Sequence, residues 1–477
     1  MDQSLPIAAT TSVTDQTPVT QRRRLLSPDV ARGLTLLSIL IANITTFWLV
    51  DPTLGRFAEL GGIGEAATAD RIAMSLGVLL THVRGLPMFA TLLGYGLGMI
   101  AVSLWRKQFP LRRARLLLIR RYGILALFGV VHLTTLFWGD IMLFYGVAGI
   151  ITACLMSARD KILLWIAGVC YALSLLFTAV GVFGVWASRE YGDVDHQLSI
   201  ALEGGAEHPQ FAASYAEYFR ENLAFLAVGL TALPVEALMV MPVILVGFVA
   251  GRRSLLRNAA QHTTLLWWTV VIGGVVGLAT AIPQIWIIWT DGDQTLMDIL
   301  SVVNAQTGFA TGPAIVAGIA LACIPLQRIA DARAAAGKPP VMWWLLPLVA
   351  LGKRSMTGYV LQSVLCLLLF TPFSFAAIPV VGGAYHATLY GLLIWAVTVI
   401  IATGLELAGL PGPLEWLHRR LAYGRRGLPD RYQLTAQEQA LVGQLVPVAA
   451  PAQATHFSYP GGQVHRLSAA PPHQVYG

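Results

Sequence analysis

Ten apolar stretches recur along the 477-residue chain, separated by short polar connections. They run approximately over 29–50, 85–105, 116–138, 140–157, 161–186, 223–250, 263–290, 308–327, 341–371 and 386–409. A helix needs roughly 20 apolar residues to cross a bilayer. The pattern therefore predicts an all-α, polytopic membrane protein with about ten transmembrane helices. One stretch is irregular: 341–371 is long for one span and short for two, and Lys353 and Arg354 interrupt it. One broken or tilted helix, with the break at Gly352–Ser355, fits best. Basic residues at such a break are functional candidates; the ordinary alternative is that both snorkel to an interface.

Charge adds orientation. Arg22–Arg24, the run WRKQFPLRRARLLLIRR, Arg252–Arg257, Arg328–Lys338 and Arg419–Arg426 fall in alternate connections. The intervening ones, 51–70, 187–222 and 291–307, read as acidic or cation-poor loops. By the positive-inside rule both termini are expected in the cytoplasm. Composition agrees: 12% of residues are charged and 56% hydrophobic, with a net charge of +7. Soluble domains carry about 25% charged residues. A secreted or cytosolic enzyme, a nucleic-acid-binding domain and a disordered scaffold are excluded. Residues 1–26 and 427–477 are polar and aperiodic and are expected to be disordered cytoplasmic ends; no signal peptide opens the chain. Between them lie an N-terminal five-helix half (27–186), an extracytoplasmic loop (187–222) and a C-terminal five-helix half (223–426). Four cysteines sit in apolar runs without metal spacing and read as buried hydrophobes.

The first helix should start with Ser27 as N-cap and Pro28 next. Asp29 and Arg32 are spaced to share a face. Asn43 lies eleven residues past Arg32, about 16 Å along the same face. Arg121 and His132 repeat that offset in the third span, and Asp140 follows a Trp-Gly break. A buried His beside an Asp is a base with an orienting carboxylate; a structural histidine joining two helices is the plainer reading. Arg84, Glu236 (between Pro234 and Pro242), Arg354 and Glu406 are further intramembrane ionisable groups. Gly94 and Gly98 form a common helix-packing spacing. No HExxH, Walker loop or Rossmann fingerprint occurs, and no metal is expected.

Several stretches carry a resemblance. SPDVARGLTLLSILIANI, RGLPMFATLLGYGLG, RRYGILALFGVVHLTTLFWGDIMLFYGVAG, LGKRSMTGYVLQSV and GPLEWLHRRLAYG occur in order across 27–426. Together they resemble the YeiB-like bacterial membrane proteins, whose C-terminal half is a domain of unknown function. That family is distantly similar to transmembrane acyltransferases of the heparan glucosaminide acetyltransferase type. The resemblance implies a multi-pass protein of the bacterial inner membrane. It also implies acyl-CoA as a cytoplasmic donor and a glycan or small-molecule acceptor of the cell envelope. Many bacterial members place a catalytic His eleven residues after the first-helix Arg; here Arg32 is matched but Asn43 stands at the His position. A neutral amide is no base, so His132, oriented by Asp140, becomes the candidate base. Asn43 would donate to the thioester carbonyl. Arg32, Arg112, Arg113, Arg120 and Arg121 would hold CoA phosphates, although the same cluster also serves as a topogenic loop that binds anionic lipid heads. The competing class is a transporter of a small metabolite, with Asp29, Arg84, Glu236 and Arg354 lining its path. A non-catalytic scaffold leaves the buried charges unexplained.

Overall fold

The computed structural model describes residues 24–49, 57–191, 209–375 and 382–433. The ends predicted to be disordered (apart from 24–26 and 427–433) and most of the acidic segment 187–222 lie outside the described residues. Residues Met1–Asp430 form one contact unit and Arg431–Gly477 a second. All the described helices belong to the first.

Every regular element described is helical. In order they are α1 (Leu26–Asn43), α2 (Ala67–Leu80), α3 (Gly85–Arg106), α4 (Leu111–Thr135) and α5 (Met142–Cys154). Then come α6 (Asp160–Tyr191), α7 (Tyr215–Arg252), α8 (Thr263–Thr290), α9 (Gln294–Thr307) and α10 (Thr311–Ala335). The last are α11 (Leu346–Lys353), α12 (Ser355–Phe370), α13 (Ala384–Leu407) and α14 (Pro413–Tyr423). Eight helical stretches among the described residues are long and apolar enough to cross a membrane, and α5 and α12 are shorter apolar helices. The all-α polytopic reading holds.

Four details differ from expectation. The segments read as loops at 51–70 and 291–307 contribute helices α2 and α9. Each runs into the next span, so 67–106 and 294–335 are stacked helix pairs with a break. Their polar residues hid them: Asp70, Arg71 and Asp298 interrupt the hydropathy but not the helix. The first helix begins at Leu26, so Ser27 lies inside it. The Leu26 amide is instead held by Gln327 Oε1 at 2.9 Å. Pro28 costs nothing there, since first-turn amides have no intrahelical acceptor. The long loop is shortened from both sides, by α6 to Tyr191 and by α7 from Tyr215. Of the cysteines, only Cys323 and Cys366 are buried, and Cys154 is exposed. The expected break in 341–371 falls where the sequence put it: Arg354 leaves helical geometry (φ −118°, ψ 35°) between α11 and α12.

Packing in a bilayer gains little from hydrophobicity, because lipid is as apolar as a leucine, so close backbone approach takes over. Helices α3 and α7 show this in both directions. A Cβ on Gly94 or Gly98 would fall 2.1 Å from the Ile244 carbonyl oxygen or 2.3 Å from that of Phe248. One on Gly247 or Gly251 would fall 2.2 Å from the carbonyl oxygen of Thr91 or Tyr95. The Gly94/Gly98 spacing thus meets a matching pair on α7.

Arginines and lysines collect at one end of the bundle. Arg252 and Arg253 pair with Asp160 there, and Arg24 with Asp29. On α8, Trp267 and Trp268 near that end and Trp286 and Trp289 near the other are exposed. Trp267 and Trp286 are nineteen positions apart, about 28 Å of helix. That matches a hydrocarbon core of about 30 Å with tryptophans at both interfaces.

Candidate functional site

Three helices bring a Ser, a His and an Asp together in the interior. Helix α4 carries His132 in its last turn. One turn earlier, Gly129 lets α5 approach so closely that a Cβ would meet the Leu143 amide nitrogen at 2.1 Å. That approach brings Asp140, just ahead of α5, to the imidazole. Asp140 Oδ2 accepts from the Leu143 amide at 2.7 Å, which fixes the carboxylate. Its Oδ1 stands 2.8 Å from His132 Nδ1, with the two side chains 0% and 2% exposed. On the other edge of the ring, Nε2 is 2.9 Å from Ser363 Oγ of α12. Nδ1 and Oδ1 are close but not aligned for a hydrogen bond, and Ser363 Oγ also reaches the Tyr359 carbonyl oxygen at 3.4 Å; an Nδ1–H tautomer would leave Nε2 to accept from the serine hydroxyl.

A cavity of about 270 Å³ leads toward this trio from the basic end. Arg32, Arg121, Lys353 and Arg419 lie along it, and Tyr359 and Ile141 border its far part. Tyr359 also packs on His132, with ring centroids 5.0 Å apart. It further lines a small second space with Asn43, Gln362 and Ser363. Tyr359 thus stands between the channel and the serine. At the basic end the channel adjoins an open vestibule of about 1000 Å³. Lys107, Arg419, Arg420 and Arg425 are among its cations.

Several predicted residues meet here. Arg32 and Arg121 line the channel, Asn43 borders the serine's space, and His132 and Asp140 touch. Others do not. Arg112, Arg113 and Arg120 are exposed on α4 and border neither space. The helix turns that face outward; of its basic run, Arg115 and Arg121 are half-buried, and Arg121 lines the channel. The vestibule's cations come instead from Arg24, Lys107, Lys353 and Arg354 and, in α14 and its flank, from Arg419, Arg420 and Arg425, a stretch that sequence treated as topogenic. Arg354 and Lys353 are engaged with Glu406, Arg354 Nη1 at 2.7 Å from Oε2, so the break is pinned to the end of α13. Asp29 lies apart from the channel and pairs with Arg24 and, at 3.6 Å, with Arg32. Glu236 lies on α7 and borders neither of these two spaces. Ser363 was missed. Its only signal was a polar pair, Gln362-Ser363, inside an otherwise apolar helix, one turn after Tyr359.

Helix α14 closes the site from the basic end. Glu415 accepts from the Met356 and Thr357 amides at 2.7 and 3.1 Å, capping α12. His418 Nε2 donates to the Arg121 carbonyl at 2.9 Å, and Arg121 Nη1 donates to the Tyr423 hydroxyl at 3.1 Å. Burial, together with the charge of Arg121, lowers the His418 pKa from its ordinary 6.5 to about 4. Undocked, the imidazole takes up a proton below about pH 6.5; docked, it resists until about 4. The docking is therefore at full strength above pH 6.5 and weakens as pH falls toward 4, by roughly 3 kcal/mol in the limit. Amide exchange of 413–423 should be slow at pH 7.5 and speed up across that window after correction for intrinsic rates. The His418→Gln variant should lose the pH dependence.

An all-α polytopic membrane protein with a buried polar trio behind Tyr359, beyond the inner end of a cation-mouthed channel, is the class these observations define. Residues 250–425 match the family described as protein of unknown function DUF418. The chain is 21% identical over 419 residues to the uncharacterized protein YxaH of Bacillus subtilis (strain 168), covering 85% of this chain and 96% of that relative. It is 33% identical over 133 residues to the uncharacterized protein YeiB of Escherichia coli (strain K12), covering 28% of this chain and 30% of that one. The chain is thus similar to YxaH over most of its length and to YeiB over a shorter stretch, and its C-terminal part carries the DUF418 match. That region supplies Ser363 and Tyr359; the preceding part supplies His132, Asp140 and Asn43.

Proposed function

We propose that the protein is a membrane acyltransferase that takes an acyl group from acyl-CoA and delivers it to a hydroxyl or amine of a cell-envelope acceptor. The observation that carries this reading is Ser363–His132–Asp140 at the inner end of a channel with a cationic mouth. The basic end faces the cytoplasm. CoA phosphates sit among Lys107, Arg419, Arg420 and Arg425, where guanidinium groups suit phosphate. The pantetheine arm follows Arg121 toward His132, an offset of about 16 Å. Tyr359 swings aside to admit the thioester.

Ser363 Oγ then attacks the thioester carbonyl while His132 takes the hydroxyl proton, and the Asp140 carboxylate stabilises the imidazolium. Asn43 donates to the carbonyl oxygen as charge develops. The C–S bond breaks, His132 returns the proton to the leaving thiolate, and CoA-SH departs. The acceptor attacks the acyl-serine ester with His132 again as base, which regenerates the Ser363 hydroxyl. Purified protein mixed with acetyl-CoA and no acceptor should release up to one equivalent of CoA thiol in a burst. It should also carry an acetyl group on the peptide containing Ser363, and Ser363→Ala should lose both. Acceptor-dependent transfer that persists in Ser363→Ala would remove the serine from the mechanism and leave direct attack by the acceptor.

One observation favours a second reading, transport of a small metabolite. The breaks between α2 and α3 and between α9 and α10 meet inside the bundle, where a Gly308 Cβ would fall 2.7 Å from Val83. Transporters bind substrate at discontinuous helices. Metabolite flux into proteoliposomes without CoA consumption would favour it.

A further inference from the structure

The meeting point of those breaks holds a charge that the acyltransfer scheme does not use. Arg84 is 2% exposed. Its Nη1 is buried with no hydrogen-bond partner, and its Nη2 reaches only the Val78 carbonyl oxygen, at 3.4 Å. Among the described residues no carboxylate pairs with it. A Cβ on Gly277 of α8 would lie 4.0 Å from Nη2, which fixes the depth of the guanidinium. Gly277 is ten positions from Trp267 and nine from Trp286, about 15 Å and 13 Å along the helix. The charge therefore sits near mid-bilayer, where an unpaired arginine costs several kcal/mol.

Arg84 also lines an apolar groove of about 510 Å³ between α8 and α10. Gly273, Gly274, Gly277 and Gly318 form part of its floor, while Leu278 on its rim is 46% exposed. From Gly277 the groove runs down past Val270 and Ile319 toward the basic end, about 10 Å of helix. Its volume is within the range of ligand sites. It opens on the surface that faces lipid.

We propose that this groove binds a single-chain fatty carboxylate drawn from the bilayer, its carboxylate on Arg84 and its chain along the glycine floor. The buried cation lacks a counter-ion, and the space beside it is apolar and laterally open, so the missing partner is an anion with an apolar tail. Depth selects among such anions. A phospholipid phosphate is anchored by its glycerol near the interface, some 13–15 Å away by the same helix count. A free fatty acid has a compact head that can reach mid-bilayer. This site is separate from the acyltransfer reading and does not depend on it.

The test uses the full-length protein in nanodiscs of zwitterionic phosphatidylcholine, titrated with spin-labelled palmitate. The wild type should immobilise about one equivalent saturably. Arg84→Gln should weaken binding at least tenfold, and Arg84→Lys should retain part of it. Gly274 has nothing within 4 Å of an added Cβ, so Gly274→Leu fills the groove without straining the helix. It should abolish binding while leaving Arg84 and the melting temperature unchanged. Equal palmitate binding by wild type, Arg84→Gln and Gly274→Leu would overturn the proposal. So would displacement of the label by phosphatidylglycerol at lower concentration than by unlabelled palmitate, which would make the site a phospholipid one.

Discussion

His132→Ala should lower acyl transfer by about a thousandfold, since a positioned base contributes roughly 10²–10⁴. The expectation rests on position: imidazole between a capped carboxylate at 2.8 Å and a serine hydroxyl at 2.9 Å, all buried. A histidine that merely ties α4 to α12 would also be missed, so a second variant separates the roles. His132→Gln can keep a hydrogen bond to Ser363 but cannot take up a proton. If the residue is a base, Gln should be nearly as inactive as Ala while melting close to wild type. Undiminished transfer by pure, folded His132→Ala protein would reject the reading. The same pair of variants, assayed for CoA release and for thermal aggregation in detergent, reads activity and stability independently.

The largest effect on stability is expected at Gly98. Leucine there must find room where even a Cβ would lie 2.3 Å from the Phe248 carbonyl oxygen. The obstacle is backbone, which cannot rotate away as a side chain does. Overpacking commonly costs about 1–3 kcal/mol, and this site belongs at the upper end because α3 and α7 would have to separate along their whole seam. Folded yield and the midpoint of thermal aggregation should both drop, and Gly94→Leu with Gly98→Leu should leave little folded protein. Leucine at Gly404 of α13, where nothing lies within 4 Å of an added Cβ, should be tolerated. A wild-type midpoint for Gly98→Leu would mean that the seam is not held by close approach.

How much of this was legible depended on whether the signal was local. Apolar length is local, so the main spans and the break at Arg354 could be read from hydropathy and two basic residues. The His132–Asp140 pair was legible for the same reason, because eight residues and a Trp-Gly turn separate its members. Helix α2 was not, since Asp70 and Arg71 are satisfied by distant partners: the Tyr385 amide for the first, and the Ile288 carbonyl and Asp291 for the second. Ser363 was hidden more deeply. It stands 231 positions from His132, and a lone serine in an apolar helix more often bonds back to its own backbone. The arginines failed in a third way. A basic run announces an interface, but which of its members turns inward depends on helix phase and on what packs there; Arg121 is the member that holds Tyr423 and His418 of α14.

The boundary of the family match has a consequence for descent. It begins at residue 250, so the line between matched and unmatched chain passes through the contact between Ser363 and His132. Under the proposed acyl transfer, neither part would carry the chemistry by itself. On that reading, a variant that keeps the C-terminal region and exchanges the rest would hold the proposed serine without its proposed base. If the proposed acyl transfer holds, substitutions at Ser363 and His132 are expected to show coupled rather than additive effects on activity.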